Sequence, residues 1–440
     1  MNTVSGEWSM RKVVSWLLGV LLVFVIMTNQ VLAQAEKEEV RKGLINFGGQ
    51  LRLRFDATQN QSLKDFSYTP GKGETQLLNR TRLHVEANPA DWVRVYFEPQ
   101  FYGRWGGYNN EDRLSVYQGY VEFQKLGQLP ISVKVGRQDF VYGSAFFLGN
   151  DDFYRGLTWD GAKINVQPMR NLSVDLIAAR LVSFTNNKSG KPGLYGFYST
   201  YSGLQDTVWD FYFFYNRHGF QNLYNHLYEC FHDSPLWFTA GTRLEVKPVK
   251  RLTFEFEPMY QFGRVRYNEP GGSGQIRAYG GHTHLTYDFK LPLEPSLRVC
   301  YAFGTGDSNP EDGTMREFHG NIYNDVAVVG DMNVIPDMSG VDIGDIRASG
   351  IKATTVASSI KPSPKLTVNL DYHYFVADKT PKGFSKTLGS EVDFYIEYGL
   401  SEKISILASA NHFFTANLFR QATGKNKDVD YFFLQTQIEF

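Results

Sequence analysis

Six arginines fall on a two-residue rhythm in three nearby stretches: Arg52 and Arg54, Arg80 and Arg82, then Arg94 and Arg104. Alternate residues of a β-strand face the same side, so these side chains share one face while Leu53, Phe55, Leu83 and Val95 take the other. Neighbouring strands lie about 4.8 Å apart, which sets the guanidiniums into a ladder. Their forked donors grip carboxylates in pairs, and their summed field attracts anions. Glu86, Glu98 and Glu122 fall on the same face. If they neutralise the arginines, the result is a stiff ion-pair lattice. Because six cations meet three anions, the expectation is a wall that is partly cross-linked and still positive.

The remaining reactive side chains form weaker constellations. His282 and His284 stand two apart on one strand face, as two metal ligands would, but no third ligand has matching spacing. No metal site is assigned to them, and polar wall residues are expected instead. The run Asp307-Ser308-Asn309-Pro310-Glu311-Asp312-Gly313 alternates oxygen ligands like a calcium loop, yet Asp312 occupies the sixth position, where such loops need Gly. An acidic turn is the better reading. Cys230 and Cys300 are the only cysteines and read as unpaired, with one oxidised pair as the alternative. No Ser, His and Asp set can be brought to one site from sequence, so no enzyme and no cofactor are expected.

Elements able to hold such a wall must be strands. Hydrophobic residues make up 42% of the 440, charged residues 21% and aromatics 15%, too aromatic and too weakly charged for a disordered chain. A mean hydropathy of -0.33 leaves no room for several helical membrane spans. The net charge of -1 lacks the basic excess that binds phosphate backbones, so nucleic acid is not a partner. From residue 45 onward, period-two alternation recurs in eighteen segments, from 45–58 to 429–440. In Thr81-Arg82-Leu83-His84-Val85-Glu86-Ala87 the two faces separate cleanly. A dry sandwich core has no place for so many charges on an inner face, whereas the wet interior of a membrane barrel does.

Connection lengths agree with a barrel. Turns such as Asn88-Pro89-Ala90-Asp91, Lys247-Pro248-Val249-Lys250 and Lys361-Pro362-Ser363-Pro364 follow even-numbered segments, and long loops at 59–75, 218–235 and 306–347 follow odd ones. That asymmetry belongs to outer-membrane barrels, with periplasmic turns and extracellular loops. Arg11 and Lys12 precede the apolar run Val13 to Met27 and the small-residue stretch ending at Ala33 and Ala35, so residues 1–33 read as an export signal. Residues 34–44 read as a short periplasmic segment and 45–440 as the barrel. The last segment ends on Phe440, which resembles the assembly signal that barrel-assembly machinery recognises. One residue breaks the pattern: Val133 and Val135 carry Arg137 toward lipid, unless Gly136 supplies a bulge that re-aims it inward or Arg137 snorkels at the interface.

Five stretches resemble the alginate export family of outer-membrane barrels: Gln118-Gly119-Tyr120-Val121-Glu122-Phe123; Gly136-Arg137-Gln138-Asp139-Phe140-Val141-Tyr142-Gly143; Gly304-Thr305-Gly306-Asp307-Ser308-Asn309-Pro310; Asp371-Tyr372-His373-Tyr374-Phe375; and Leu388-Gly389-Ser390-Glu391-Val392-Asp393-Phe394. The resemblance spans about 50 to 440 and implies eighteen strands around an arginine-lined lumen.

The expectation is thus an all-β, single antiparallel barrel of the bacterial outer membrane, in contact with lipid and lipopolysaccharide. It is expected to be a porin-like channel for a hydrophilic, anionic solute or polysaccharide, with room for a periplasmic partner. The alternative is a plugged or sheathing barrel with a structural or docking role. It draws on the long loop, whose Met315, Met332, Ile335 and Met338 suit an inward fold.

Overall fold

A computed structural model describes residues 45–106, 110–124, 126, 129–182, 193–217, 236–266, 273–309, 312–319 and 330–440. The expected export signal, residues 34–44, Cys230 and the loop 218–235 lie outside the described residues. Eighteen long strands carry the fold. They are β1 (Ile45–Gln61), β2 (Tyr68–Ala90), β3 (Val93–Trp105), β4 (Glu111–Phe123), β5 (Ile131–Gln138), β6 (Trp159–Met169), β7 (Leu172–Leu181), β8 (Gly193–Tyr201), β9 (Thr207–Arg217), β10 (Leu236–Val249), β11 (Leu252–Arg266), β12 (Ser273–Asp288) and β13 (Ser296–Gly304). Two short pieces, β14 (Thr314–Met315) and β15 (Gly340–Ile343), belong to the longest connection. The wall resumes with β16 (Ile346–Ser363), β17 (Leu366–Lys379), β18 (Thr387–Ser401), β19 (Ile404–Thr415) and β20 (Val429–Glu439), a helix α1 (Asn417–Thr423) lying before the last.

Each wall strand pairs antiparallel with its neighbours, β13 pairs with β16, and β20 returns to β1 from Gln50↔Glu439 to Gln59↔Asp430. The closure leaves no edge, and an edge in hydrocarbon would strand backbone donors at several kcal/mol each. Phe440 extends the seam, its N–H donating to the Gly49 carbonyl at 3.1 Å and its carbonyl accepting from the Gly49 N–H at 2.9 Å. Even a single added methyl at Gly49 would meet the Phe440 ring at 2.7 Å, which explains the glycine.

The alternation holds around the wall. Leu53, Phe55, Leu83, Val95, Phe256, Leu285, Leu370 and Leu434 point outward and are exposed, forming the lipid band. Turns of two to seven residues join β2–β3, β4–β5, β6–β7, β8–β9, β10–β11, β12–β13, β16–β17 and β18–β19, all at one rim. At the other rim, the expected loop 59–75 shrinks to 62–67, because β1 and β2 run on as a hairpin beyond their alternating cores.

Arg137 corrects a local expectation. β5 pairs with β6 in unbroken register, so Gly136 makes no bulge. The irregularity lies next door, where β4 shifts against β3 between Val116 and Gln118, beside Pro99, which cannot donate to a ladder. The Val116 carbonyl accepts a bond from Arg137 Nη1 at 3.0 Å. Arg137 remains on the outer face and forks onto Asp160 at 2.7 and 2.9 Å, one residue from the end of β5.

Candidate functional site

The connection 139–158 between β5 and β6 builds the site. Phe140, Phe146, Phe147 and Leu148 are all buried, an apolar load that a loop in water would not carry. It crosses the interior. At one end Gly143 turns with φ 56° against the Arg243 side chain of β10, where a Cβ would sit 2.7 Å from Cδ. Ser144 Oγ lies 3.1 Å from His282 Nε2 of β12, and Phe147 stacks on Tyr212 of β9. Further along, Phe153 packs edge-on against Phe433 of β20, and Gly156 (φ 78°) fits under Tyr117 and Arg82. These contacts join opposite walls, so the segment is a constriction.

Its centre is Asp152. Arg80 donates to Asp152 Oδ1 at 2.9 Å and Oδ2 at 3.1 Å, Arg82 to Oδ1 at 2.7 Å, and Arg52 approaches Oδ2 at 3.4 Å. The same guanidiniums cap the segment's backbone: Arg52 and Arg80 reach the Asp152 carbonyl at 2.6 and 2.7 Å, and Arg82 reaches that of Arg155 at 3.1 Å. Burial pushes the Asp152 carboxyl up, but the charges of Arg80, Arg82 and Arg52 outweigh it and hold it below the usual carboxylate range. Three cations against one anion leave this patch positive.

The other arginines have separate partners. Arg54 is buried, donates to Asp56 at 2.7 Å and lies 3.5 Å from the Phe153 ring centre. Arg94 pairs with Glu86 at 2.5 Å and Glu122 at 3.6 Å. Glu98 accepts from Gln118 at 3.3 Å, and Arg104 stands across the ladder from Glu111. The lattice expected from Glu86, Glu98 and Glu122 therefore forms only around Arg94, because Arg52, Arg54, Arg80 and Arg82 are met by the constriction instead. Asp56 and Asp152, the carboxylates that matter there, were not among the residues singled out from sequence. The Ala145-Phe146-Phe147-Leu148 run between two strands was the signal that could have found the segment.

The opposite wall is acidic. Arg243 pairs with Asp210 at 3.0 Å, Glu255 at 2.5 Å and Glu245. The long connection also turns inward in its described parts. Phe318, Met332, Ile335 and Met338 are fully buried, and Met332 is held by bonds from its N–H to Glu391 Oε1 (3.0 Å) and to its carbonyl from Gln61 Nε2 (2.6 Å). In the acidic turn, Asp307 accepts the N–H groups of Asn309 and Arg316 at 2.9 Å, and Asp312 pairs with Arg316 at 2.8 Å, so both carboxylates are engaged locally.

Solved structures share this architecture. Pseudomonas aeruginosa OpdL superposes with a TM-score of 0.61 at 10% identity, covering 90% of this chain and 98% of that one. The outer membrane protein OprD from Pseudomonas aeruginosa gives 0.57 at 12%, covering 91% and 95%, and Pseudomonas aeruginosa OccK11 gives 0.56 at 15%, covering 90% and 96%. At such identities the likeness establishes the fold. No curated protein matches the sequence. The alginate export family model matches residues 44–432, nearly all of the barrel. With its closed wall, lipid band and constricted interior, the chain belongs to the alginate export family, as a channel of the bacterial outer membrane.

Proposed function

We propose that this channel passes hydrophilic, carboxylate-bearing anions by diffusion, guided by the arginine wall and sized by the 139–158 constriction. The observation that carries the reading is the meeting of Arg52, Arg80 and Arg82 on one carboxylate, Asp152. Guanidiniums in a confined, low-dielectric space act on a passing ion far more strongly than surface charges do. A uronate polymer, as the family description suggests, carries the matching carboxylates. Reversal potentials of the refolded barrel in planar bilayers under a salt gradient test this: anion preference is expected, and an open, cation-selective channel would overturn it.

The plugged or sheathing barrel is a second reading, favoured by the burial of Met332, Ile335 and Met338 in the long connection. It expects negligible conductance from the intact chain, rising only when residues 330–338 are removed.

Phe440 is assigned the assembly role, since its backbone completes the closing seam while its side chain stays 57% exposed on the outside. Phe440→Asp should lower the yield of heat-modifiable barrel severalfold in cells. Normal yield would detach this residue from recognition by the assembly machinery.

A further inference from the structure

Four carboxylates crowd one region of the lumen wall: Asp210 on β9, Glu245 on β10, and Glu255 and Glu257 on β11. Asp210, Glu255 and Glu257 are almost completely buried. Arg243 is the guanidinium they share, touching Asp210, Glu245 and Glu255. The hydroxyls of Tyr198 and Tyr212 donate to Asp210 and Glu257 at 2.8 Å, which spreads the negative charge without cancelling it. A buried surplus of this kind requires a protonated partner or a bound cation.

Two imidazoles face it. The β11–β12 register sets Glu255 opposite His284 and Glu257 opposite His282. His282 Nε2 lies 3.2 Å from Glu255 Oε1 and 3.1 Å from Glu257 Oε2, and His284 Nε2 lies 3.9 Å from Glu255 Oε2. We propose that Glu255, His282 and His284 bind a divalent transition-metal cation, zinc being the best chemical match.

The donor atoms of these three residues all lie within 4.8 Å of one another. Tetrahedral zinc, with bonds of about 2.0–2.1 Å, sets its donors about 3.4 Å apart, so the site closes with small side-chain shifts. Arg243 takes Glu255 Oε2, while Glu255 Oε1 is buried and faces His282 Nε2 at 3.2 Å, a gap that a metal bound to both atoms would span. Glu257 Oε2 lies 3.1 Å from His282 Nε2, beside the trio rather than within it. Imidazole donors favour zinc, copper or nickel over magnesium and calcium. The site also touches the constriction: Ser144 Oγ is 3.1 Å from the same His282 Nε2, and the Phe146 ring packs 4.4 Å from the imidazole. A metal on Nε2 displaces the serine contact, so occupancy alters how the constriction is anchored.

The test uses the refolded full-length barrel, stripped with chelator, equilibrated with zinc and dialysed, with metal content read by atomic emission and affinity by competition with a chromophoric chelator. About one zinc per chain is expected, undisturbed by excess magnesium. His284→Gln, the least buried of the three ligands, should lose at least the ~10–100-fold in affinity that removal of an outer-shell partner costs. His282→Gln/His284→Gln should retain none. Heat-modifiability verifies folding, and if the double variant does not fold, the single one decides. A stripped wild type that takes up less than a tenth of an equivalent, or a folded His284→Gln that binds as tightly as wild type, overturns the assignment.

Discussion

Asp152→Asn is expected to make the channel both larger in conductance and more anion-selective. The substitution keeps the side-chain shape and one acceptor oxygen but removes the charge on which Arg52, Arg80 and Arg82 converge. Arg80 is only 2% exposed and Asp152 31%, so the anchoring falls between an exposed pair and a buried one, on the order of 1–3 kcal/mol. That energy holds the middle of a segment whose ends are tied elsewhere, and losing it frees the segment to leave the lumen. The three guanidiniums then face the solute path with no carboxylate between them. The pH dependence follows from the direction of the shift. The folded-state carboxyl titrates below its ordinary value of 3.8, so the contribution is complete above that value and is lost only as pH falls through the lower folded one. Wild type and variant should therefore differ across the neutral range, with wild type approaching the variant only in strong acid. Single-channel recordings between pH 5 and 8 measure this, and an unchanged reversal potential in the folded variant would remove Asp152 and its three arginines from the permeation path.

What the sequence displayed and what it hid follow one physical line. Alternation is local: Leu83 and Arg82 declare opposite faces without reference to any other strand, so all eighteen wall strands and their turn parity could be read from it. The inward direction of Arg52, Arg54, Arg80 and Arg82 followed as well. Their partners could not be read this way. Asp152 meets arginines 70 to 100 positions earlier in the chain, through a connection whose path depends on closure of the whole barrel. Glu255 was equally hidden beside His282 and His284, because only the β11–β12 register makes it a neighbour. Loop 59–75 was misjudged because Gln59-Asn60-Gln61 and Gly71-Lys72-Gly73-Glu74 offer no apolar side chains to alternate, although both runs remain strand.

Asp331 should make conductance rise as pH climbs from about 5 to about 8. It lies in the inward part of the long connection, its N–H 3.4 Å from Asp393 Oδ2, next to Met332, which Glu391 and Gln61 hold in place. Burial, and then the charge of Asp393, push its carboxyl up from 3.8 to about 7. A carboxyl raised in the folded state favours the seated segment while protonated. The penalty begins as pH passes the unfolded value near 4 and is complete above about 7. His373 Nε2 lies 3.2 Å from Asp393 Oδ2, beside the same carboxylates. Seating of 330–338 thus weakens over the neutral range, and the space it occupies opens to ions. Asp331→Asn keeps the shape without the charge and should give a flat, low conductance over the same range, whereas deletion of 330–338 should give a flat, high one. Equal pH profiles for wild type and Asp331→Asn would show that ionisation at this position does not move the segment.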